Sequence, residues 1–147
     1  MSAAARAVTE ARQWIGTPYL HQMSHRGAGC DCLGLLRGVW RALYGAEPEP
    51  VPPYTPDWSE PQGEERLWQA ATRHLIPSHA PLAHGDVLLF RLRQGAVAKH
   101  LGIAALDGAG PQVIHAYTGH GVVQTPLSAP WARRIVARFT FPEIPQE

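Results

Sequence analysis

The spacing of the apolar residues changes at one point along this chain, near Pro81. Before that residue apolar side chains recur every three to four positions, the period of a helix packed on a core; after it they alternate or form short runs, which is typical of strands. The pattern predicts helices over residues 3–15, from 31 or 32 to 44, and over 64–76, and strands over 86–92, 100–106, 112–117, 121–125 and 134–141. Helices followed by strands predict an α+β fold, with N-terminal helices packed on an antiparallel sheet of about five to six strands.

Prolines are concentrated between residues 46 and 61. Such segments favour an extended form without internal hydrogen bonds, so we predict an exposed connection inside the domain. The chain length of 147 residues, with 45% hydrophobic and 17% charged residues, suits a single domain over residues 1–147. On the connection, Tyr54 and Trp58 are predicted to be exposed aromatic side chains that dock on a partner protein.

Charge and hydropathy argue against several classes of function. The formal net charge of +1 gives no basis for binding nucleic acid or an anionic membrane. No stretch reaches the roughly 18 apolar residues of a membrane span. The first ten residues lack the apolar core of a signal peptide, so we expect the chain to be made in the cytoplasm without one.

Cys32 lies where a glycine-containing loop runs directly into an apolar helix. A thiol at a helix N-terminus experiences the positive end of the helix dipole, which favours the nucleophilic thiolate. The free amides of the first turn also supply donors for an oxyanion. The alternative interpretation is a buried cysteine that packs as a small apolar residue, and this is the interpretation we give to Cys30.

Two histidines are predicted on neighbouring strands, His100 at the start of one strand and His115 on the next. Residues on the same face of adjacent antiparallel strands are within contact range, so one imidazole can act as a base and the other can orient it. Each histidine could equally be a surface or core residue. A zinc site or a Cys30–Cys32 redox pair is a weaker interpretation, because the spacing does not match zinc-finger patterns and the loop would strain a disulfide. We therefore expect neither a metal nor a cofactor.

Five segments occur in the order and spacing of one known family. The chain resembles the NlpC-type cysteine peptidases over most of its length, and most of all the short, single-domain peptidases encoded among tail genes of bacteriophages and gene transfer agents. The matching segments are Gly16-Thr17-Pro18-Tyr19, Gly29 to Leu35, Gly85 to Phe90, His100 to Ile103 and Ile114 to Ala116.

The resemblance implies a papain-like fold and hydrolysis of peptidoglycan stem peptides, commonly at the bond between D-glutamate and diaminopimelate. It implies Cys32 as the nucleophile, His100 as the base and His115 as the third polar group. Tyr19 matches a tyrosine whose hydroxyl can help the Cys32 amide to hold the oxyanion. Asp31 matches a residue that contacts substrate, and a helix N-cap is an equal alternative for it.

The sequence departs from the family pattern near the nucleophile. Leu33 follows the nucleophile where the family often has serine, Cys30 stands where many relatives have an apolar residue, and residues 20–28 lack a clear double glycine. The resemblance implies partners among phage-like tail or baseplate hub proteins, assembly into a tail particle in a bacterium, and action in the periplasm of the target cell. The alternatives are a structural tail protein with little activity, and an intracellular amidase or acyltransferase.

Overall fold

The computed structural model describes residues 1–55 and 63–145 of the chain. These residues form N-terminal helices and a six-stranded antiparallel sheet, which confirms the predicted α+β fold. The helices are α1 (Ala3–Gln13), α2 (Cys32–Tyr44), α3 (Arg66–His74) and the short α4 (Ala129–Ala132). The strands are β1 (Ser24–His25), β2 (Gly29–Cys30), β3 (Ile76–Pro77), β4 (Val87–Phe90), β5 (His100–Ala105), β6 (Gln112–Tyr117), β7 (Gly121–Pro126) and β8 (Ile135–Thr140).

The main sheet has the strand order β3–β8–β4–β5–β6–β7, and each neighbouring pair is antiparallel. Alternation along β5 sends Leu101 and Ile103 to the face that belongs to the main core with α1 and α2. Phe90 and Ala104 lie in a smaller apolar cluster on the opposite face. His100 pairs with Phe90 and therefore begins β5 on that second face.

The ends and contacts of the helices follow from particular residues. Asp31 caps α2, and Gly45, at a φ of 92°, ends it in the backbone region that glycine adopts most easily. Within α2, a side chain at Gly38 would overlap the ring of Trp14, so this glycine allows α2 to lie close against the end of α1. None of the described helices has both the length and the apolar character that crossing a bilayer requires.

Three short segments differ from the prediction. The helix predicted over 64–76 ends at His74, because Leu75 is extended and Ile76 pairs with Thr140 at the edge of the sheet. The stretch before Cys32, predicted to be irregular, contains the β1–β2 hairpin, and α4 had not been predicted. Elements of two to four residues are too short to show a hydrophobic period, so the sequence pattern could not reveal them.

The proline-rich connection returns along α2 instead of leaving the domain. The side chain of Glu47 binds Arg37 at 2.6 Å and Arg41 at 3.2 Å, and the indole of Trp40 donates to the carbonyl of Ala46 at 3.0 Å. The prolines at 48, 50, 52 and 53 are exposed, as predicted for this part of the connection. We call residues 46–55 the arm; the predicted exposed Trp58 lies outside the described residues.

Candidate active site

Cys32 is the first residue of α2, and its sulfur lies against the start of β5. The thiol donates to the carbonyl of Lys99 at 3.7 Å, and the nearby main-chain amides of Leu33 and Leu101 favour negative charge on the sulfur. Cys32 is 7% exposed. Cys32 and His100 line the same cleft, but in the described part of the chain no hydrogen bond joins their side chains. The sulfur therefore contacts the main chain on both sides of His100.

His100 and His115 form a buried, hydrogen-bonded pair. Nε2 of His100 lies 2.7 Å from Nδ1 of His115, and the two residues are 6% and 1% exposed. Nε2 of His115 lies 3.5 Å from the hydroxyl of Thr125. When Nε2 of His100 carries the proton in this pair, Nδ1 of His100 is left unprotonated, which is the state that a base requires.

Gly102 makes room for this pair. The register of β5 and β6 sets Gly102 opposite His115, on the same face as His100. A Cβ atom at Gly102 would lie 3.4 Å from Cβ of His115 and 2.5 Å from Cγ2 of Val113. Because glycine has no side chain, the ring of His115 can reach diagonally to His100 across the strand pair.

Aromatic side chains surround the histidine pair. The ring of Phe90 lies 5.5 Å from that of His100, the Trp131 ring of α4 lies 5.1 Å from that of His115, and Tyr117 stacks on His115 at 5.6 Å. These rings restrict the orientation of both imidazoles. They also replace water with apolar surface, which disfavours a charged imidazolium.

The charges of the site follow from this burial. Burial lowers the pKa of His100 to about 3 and that of His115 to about 4, with smaller contributions from their histidine neighbours. Burial, reinforced by the charge of Asp31, raises the pKa of Cys32 to about 12. The expectation that the helix dipole would favour the thiolate is therefore wrong. Burial outweighs the dipole, and the site holds a neutral thiol beside a neutral imidazole.

Tyr19 and Asp31 both line the cleft. They differ in the hydrogen bonds that their side chains make. Burial raises the pKa of Tyr19, so its hydroxyl remains a donor. Asp31 is buried, and its Oδ1 accepts from the amide of Gly34 at 2.7 Å while Oδ2 accepts from the amide of Gln22 at 2.7 Å. The N-cap interpretation of Asp31 is confirmed, and its contact with substrate stays a prediction.

The two departures beside the nucleophile have simple structural roles. Cys30 is completely buried in the main core, which confirms its interpretation as a packing residue. Leu33 packs against the same core from a partly buried position. Neither residue places a polar group at the cleft.

Tyr54 is the cleft residue whose position differs most from the prediction. It was predicted to be exposed for docking, but it is half-buried, and its hydroxyl donates to Oδ2 of Asp31.

The length of the arm is the sequence feature from which its return along α2 could have been predicted. The helix α2 has 13 residues and is about 20 Å long, whereas residues 46–54 in a proline-rich extended form reach roughly 28 Å. The arm is thus long enough to run from the C-terminus of α2 back to its N-terminus.

The described residues bring no three histidine, cysteine, aspartate or glutamate side chains together in the way that a metal ion requires. Cys30 and Cys32 are both free thiols.

Several solved structures share this fold. The chain superimposes on NlpC1 from Trichomonas vaginalis with a TM-score of 0.59 and 22% identity, covering 95% of this chain and 44% of that one. An NlpC/P60 family protein from Bacillus cereus gives a TM-score of 0.63 at 20% identity, over 97% of this chain and 40% of the other. An N-acetylmuramoyl-L-alanine amidase from Bacteroides uniformis gives 0.54 at 11% identity, over 93% and 97%.

These likenesses confirm the predicted NlpC-type, papain-like fold. The chain spans less than half the length of the first two structures, so it corresponds to one part of each. No family model and no curated protein sequence matches the chain.

Proposed function

We propose that this protein is a cysteine peptidase that hydrolyses the peptides of bacterial peptidoglycan. The observation that carries the proposal is a free cysteine at a helix N-terminus that lines one cleft with His100, whose ring is hydrogen-bonded to the buried His115. A nucleophile, a base and a group that orients the base are the parts that thiol-dependent acyl transfer needs.

The proposed reaction begins from a neutral site. As a substrate carbonyl approaches Cys32, the thiol exchanges its contact with Lys99 for one with Nδ1 of His100 and gives up its proton there. The sulfur attacks the carbonyl carbon, and the amide of Cys32 and the hydroxyl of Tyr19 donate to the oxyanion. His100 then returns the proton to the leaving amine, and water activated by the same imidazole hydrolyses the acyl-enzyme.

Neutral ground-state partners suit this sequence of steps. The low pKa of His100 keeps its imidazole unprotonated at neutral pH, which leaves Nδ1 with a free lone pair for the proton. His115 holds the ring by its hydrogen bond to Nε2, which directs the other ring nitrogen to the proton transfer. The imidazolium of His100 is then transient. It forms during attack on the carbonyl, together with the oxyanion, and is not present before the substrate binds.

Amide bonds of the stem peptide are the proposed substrates, with the bond between D-glutamate and diaminopimelate as the first candidate. The resemblance to NlpC-type peptidases supports this bond, and the fold shared with an amidase named for the N-acetylmuramoyl-L-alanine bond supports peptidoglycan as the class of substrate. We also propose that the protein acts as a component of a phage-like or gene transfer agent tail, held by tail or baseplate hub proteins. The resemblance of the motifs to tail-encoded peptidases supports that setting, with action in the periplasm of the target cell.

The experiment is incubation of the purified full chain with defined muropeptides, with the products identified by mass spectrometry. Cleavage within the stem peptide supports the proposal, and the product masses identify the bond. His100→Ala should abolish cleavage, whereas His79→Ala, at an exposed histidine beside β3, should not. An inert but folded chain would favour a structural tail protein, and turnover of only non-wall amides would favour an intracellular amidase or acyltransferase.

A further inference from the structure

Tyr54 fastens the end of the arm beside the nucleophile. Its hydroxyl donates to Asp31, and its ring meets that of His21 edge to face at 5.1 Å. Its carbonyl accepts hydrogen bonds from His21 Nε2, at 2.8 Å, and from the side-chain amide of Gln22. The arm is therefore held at the cleft by both the main chain and the side chain of one residue.

Asp31 connects this contact to the first turn of α2. Its carboxylate accepts from the main-chain amides of Gly34 and Gln22, each at 2.7 Å, and Tyr54 completes its set of hydrogen bonds. The backbone at Gly34 is closely packed, because a side chain there would overlap the carbonyl of Met23. A carboxylate fixed in this way has little freedom to move without disturbing the start of the helix.

The position of the Asp31 charge matters because Cys32 is its neighbour. A nearby carboxylate disfavours a thiolate, and Asp31 contributes to the raised pKa of Cys32 after burial. A hydroxyl that donates to the carboxylate draws its charge toward the donor. Tyr54 therefore lies where it can limit the effect of Asp31 on the sulfur.

We propose that Tyr54 is a positioning residue for Cys32 that acts through Asp31: its hydroxyl holds the capping carboxylate, and with it the first turn of α2, in the arrangement from which the sulfur can ionise. The inference rests on the proposed role of Cys32 as nucleophile. It assigns a role in the site to the proline-rich arm, beyond that of a connection.

The other titratable groups near the sulfur do not replace this contact. Cys30 and Tyr19 face Cys32 as neutral groups, with pKa values raised by burial. Among the described residues, Tyr54 is the one side chain within hydrogen-bond distance of the Asp31 carboxylate, since Nδ1 of His21 lies 3.7 Å away. The remaining titratable groups of the cleft are Lys99, His100 and Tyr117, and Arg37 of α2 is the cation whose charge acts on both Asp31 and Tyr54.

The test is the rate at which iodoacetamide alkylates Cys32 in the full chain, measured between about pH 7 and pH 9. Fragmentation of the tryptic peptide over residues 27–37 assigns the label to Cys32 or to Cys30. We expect Tyr54→Phe to slow alkylation of Cys32 on the order of tenfold at each pH, which corresponds to one pKa unit. Tyr44→Phe is the matched control, since its hydroxyl donates to the carbonyl of Pro142 at 2.5 Å from the other end of α2. It should leave the rate unchanged.

A double-mutant cycle tests whether the effect passes through Asp31. Asparagine is also a good N-cap, so Asp31→Asn keeps the cap and removes the charge. In that background Tyr54→Phe should no longer change the alkylation rate. In turnover, Tyr54→Phe should lower kcat more than it raises KM, because the phenylalanine ring still forms the cleft wall.

Three results would overturn the inference: alkylation of Tyr54→Phe at the wild-type rate, faster alkylation, which would make Tyr54 a cover over the sulfur, or a slowing that persists with Asp31→Asn. Iodoacetamide needs no hydrolase activity. A chain that shows the expected alkylation pattern but leaves muropeptides intact would therefore contradict the proposed substrate and support the role of Tyr54. Labelling of Cys30 ahead of Cys32 would overturn both.

Discussion

Nε2 of His100 lies 2.7 Å from Nδ1 of His115, with both rings buried among aromatic side chains. In a hydrogen bond between two neutral imidazoles, one of the two facing nitrogens carries the proton and the other accepts it. When His100 is the donor, its Nδ1 is left as an acceptor. Nε2 of His115 then carries a proton and can donate to the hydroxyl of Thr125. A short chain of uncharged polar groups thereby sets the tautomer of the proposed base.

Replacing His115 should separate its orienting role from simple packing. His115→Ala leaves Nε2 of His100 without its partner and opens a cavity, so we expect turnover to fall about 10²- to 10⁴-fold, the range for loss of positioned acid–base catalysis. His115→Gln offers an amide oxygen to the same nitrogen and should retain more activity than His115→Ala. Steady-state turnover of both variants on one muropeptide measures the difference. Equal activity of the two variants would argue that His115 only fills space.

Acid should destabilise the fold through the histidine pair. Both groups have a folded-state pKa below the ordinary value of 6.5, at about 3 for His100 and about 4 for His115. Below pH 6.5 the unfolded chain therefore binds more protons than the folded chain, and stability falls as pH falls toward 4, by at most about 1.4 kcal/mol per pH unit for each group. Urea unfolding at pH 7, 6 and 5 measures this trend. His100→Gln should reduce the slope, and an unchanged slope in that variant would contradict the assignment.

The two cysteines should differ in reactivity even though burial raises both pKa values to about 12. At neutral pH we expect slow alkylation of Cys32, which lines the cleft, and slower alkylation of Cys30, which is completely buried. The rate at Cys32 should rise as pH increases, because the thiolate is the reacting form. Rapid labelling of Cys32 at pH 7 would mean that an ion pair with His100 already exists in the free protein.

Gly102→Ala should disturb the histidine pair. Its Cβ would lie 2.5 Å from Cγ2 of Val113 and 3.4 Å from Cβ of His115, so the side chains on β6 must shift. We expect a loss of about 1–3 kcal/mol in the free energy of unfolding, typical of overpacking, together with reduced turnover. Gly108→Ala is the matched control, because its Cβ would have no neighbour within 4 Å and should change stability by less than about 0.5 kcal/mol. Similar losses in both variants would contradict this account.

The helices and strands with a clear apolar period were predictable from the sequence, as were the local motifs. Their order along the chain, with helices before strands, was predictable too. The strand over Gln112–Tyr117 has its predicted bounds, and α2 begins at Cys32 and ends before Gly45 as its apolar spacing and glycine indicated. The two-residue strand at Ile76 was missed, because pairing at a sheet edge leaves no period in so short a segment.

The electrostatics of the site were not predictable in the same way. A helix N-terminus is visible in sequence, and it led to the expectation of an acidic thiol at Cys32. The burial that raises this pKa comes from residues distant in the chain, including those at the start of β5. The contact of Tyr54 with Asp31 also joins two segments that the sequence does not pair by any motif. Such effects require the packed structure.

The most direct test of the central claim is to compare muropeptide turnover by two variants, each with one of the two cysteines replaced by serine. Cys32→Ser should abolish cleavage, since the hydroxyl is nearly isosteric with the thiol but far less acidic. Cys30→Ser should keep most of the activity, with a stability loss of roughly 1 kcal/mol from the buried hydroxyl. Circular dichroism of both variants checks that each is folded. Turnover by folded Cys32→Ser at the wild-type rate would contradict the assignment of the nucleophile, and with it the proposed enzyme.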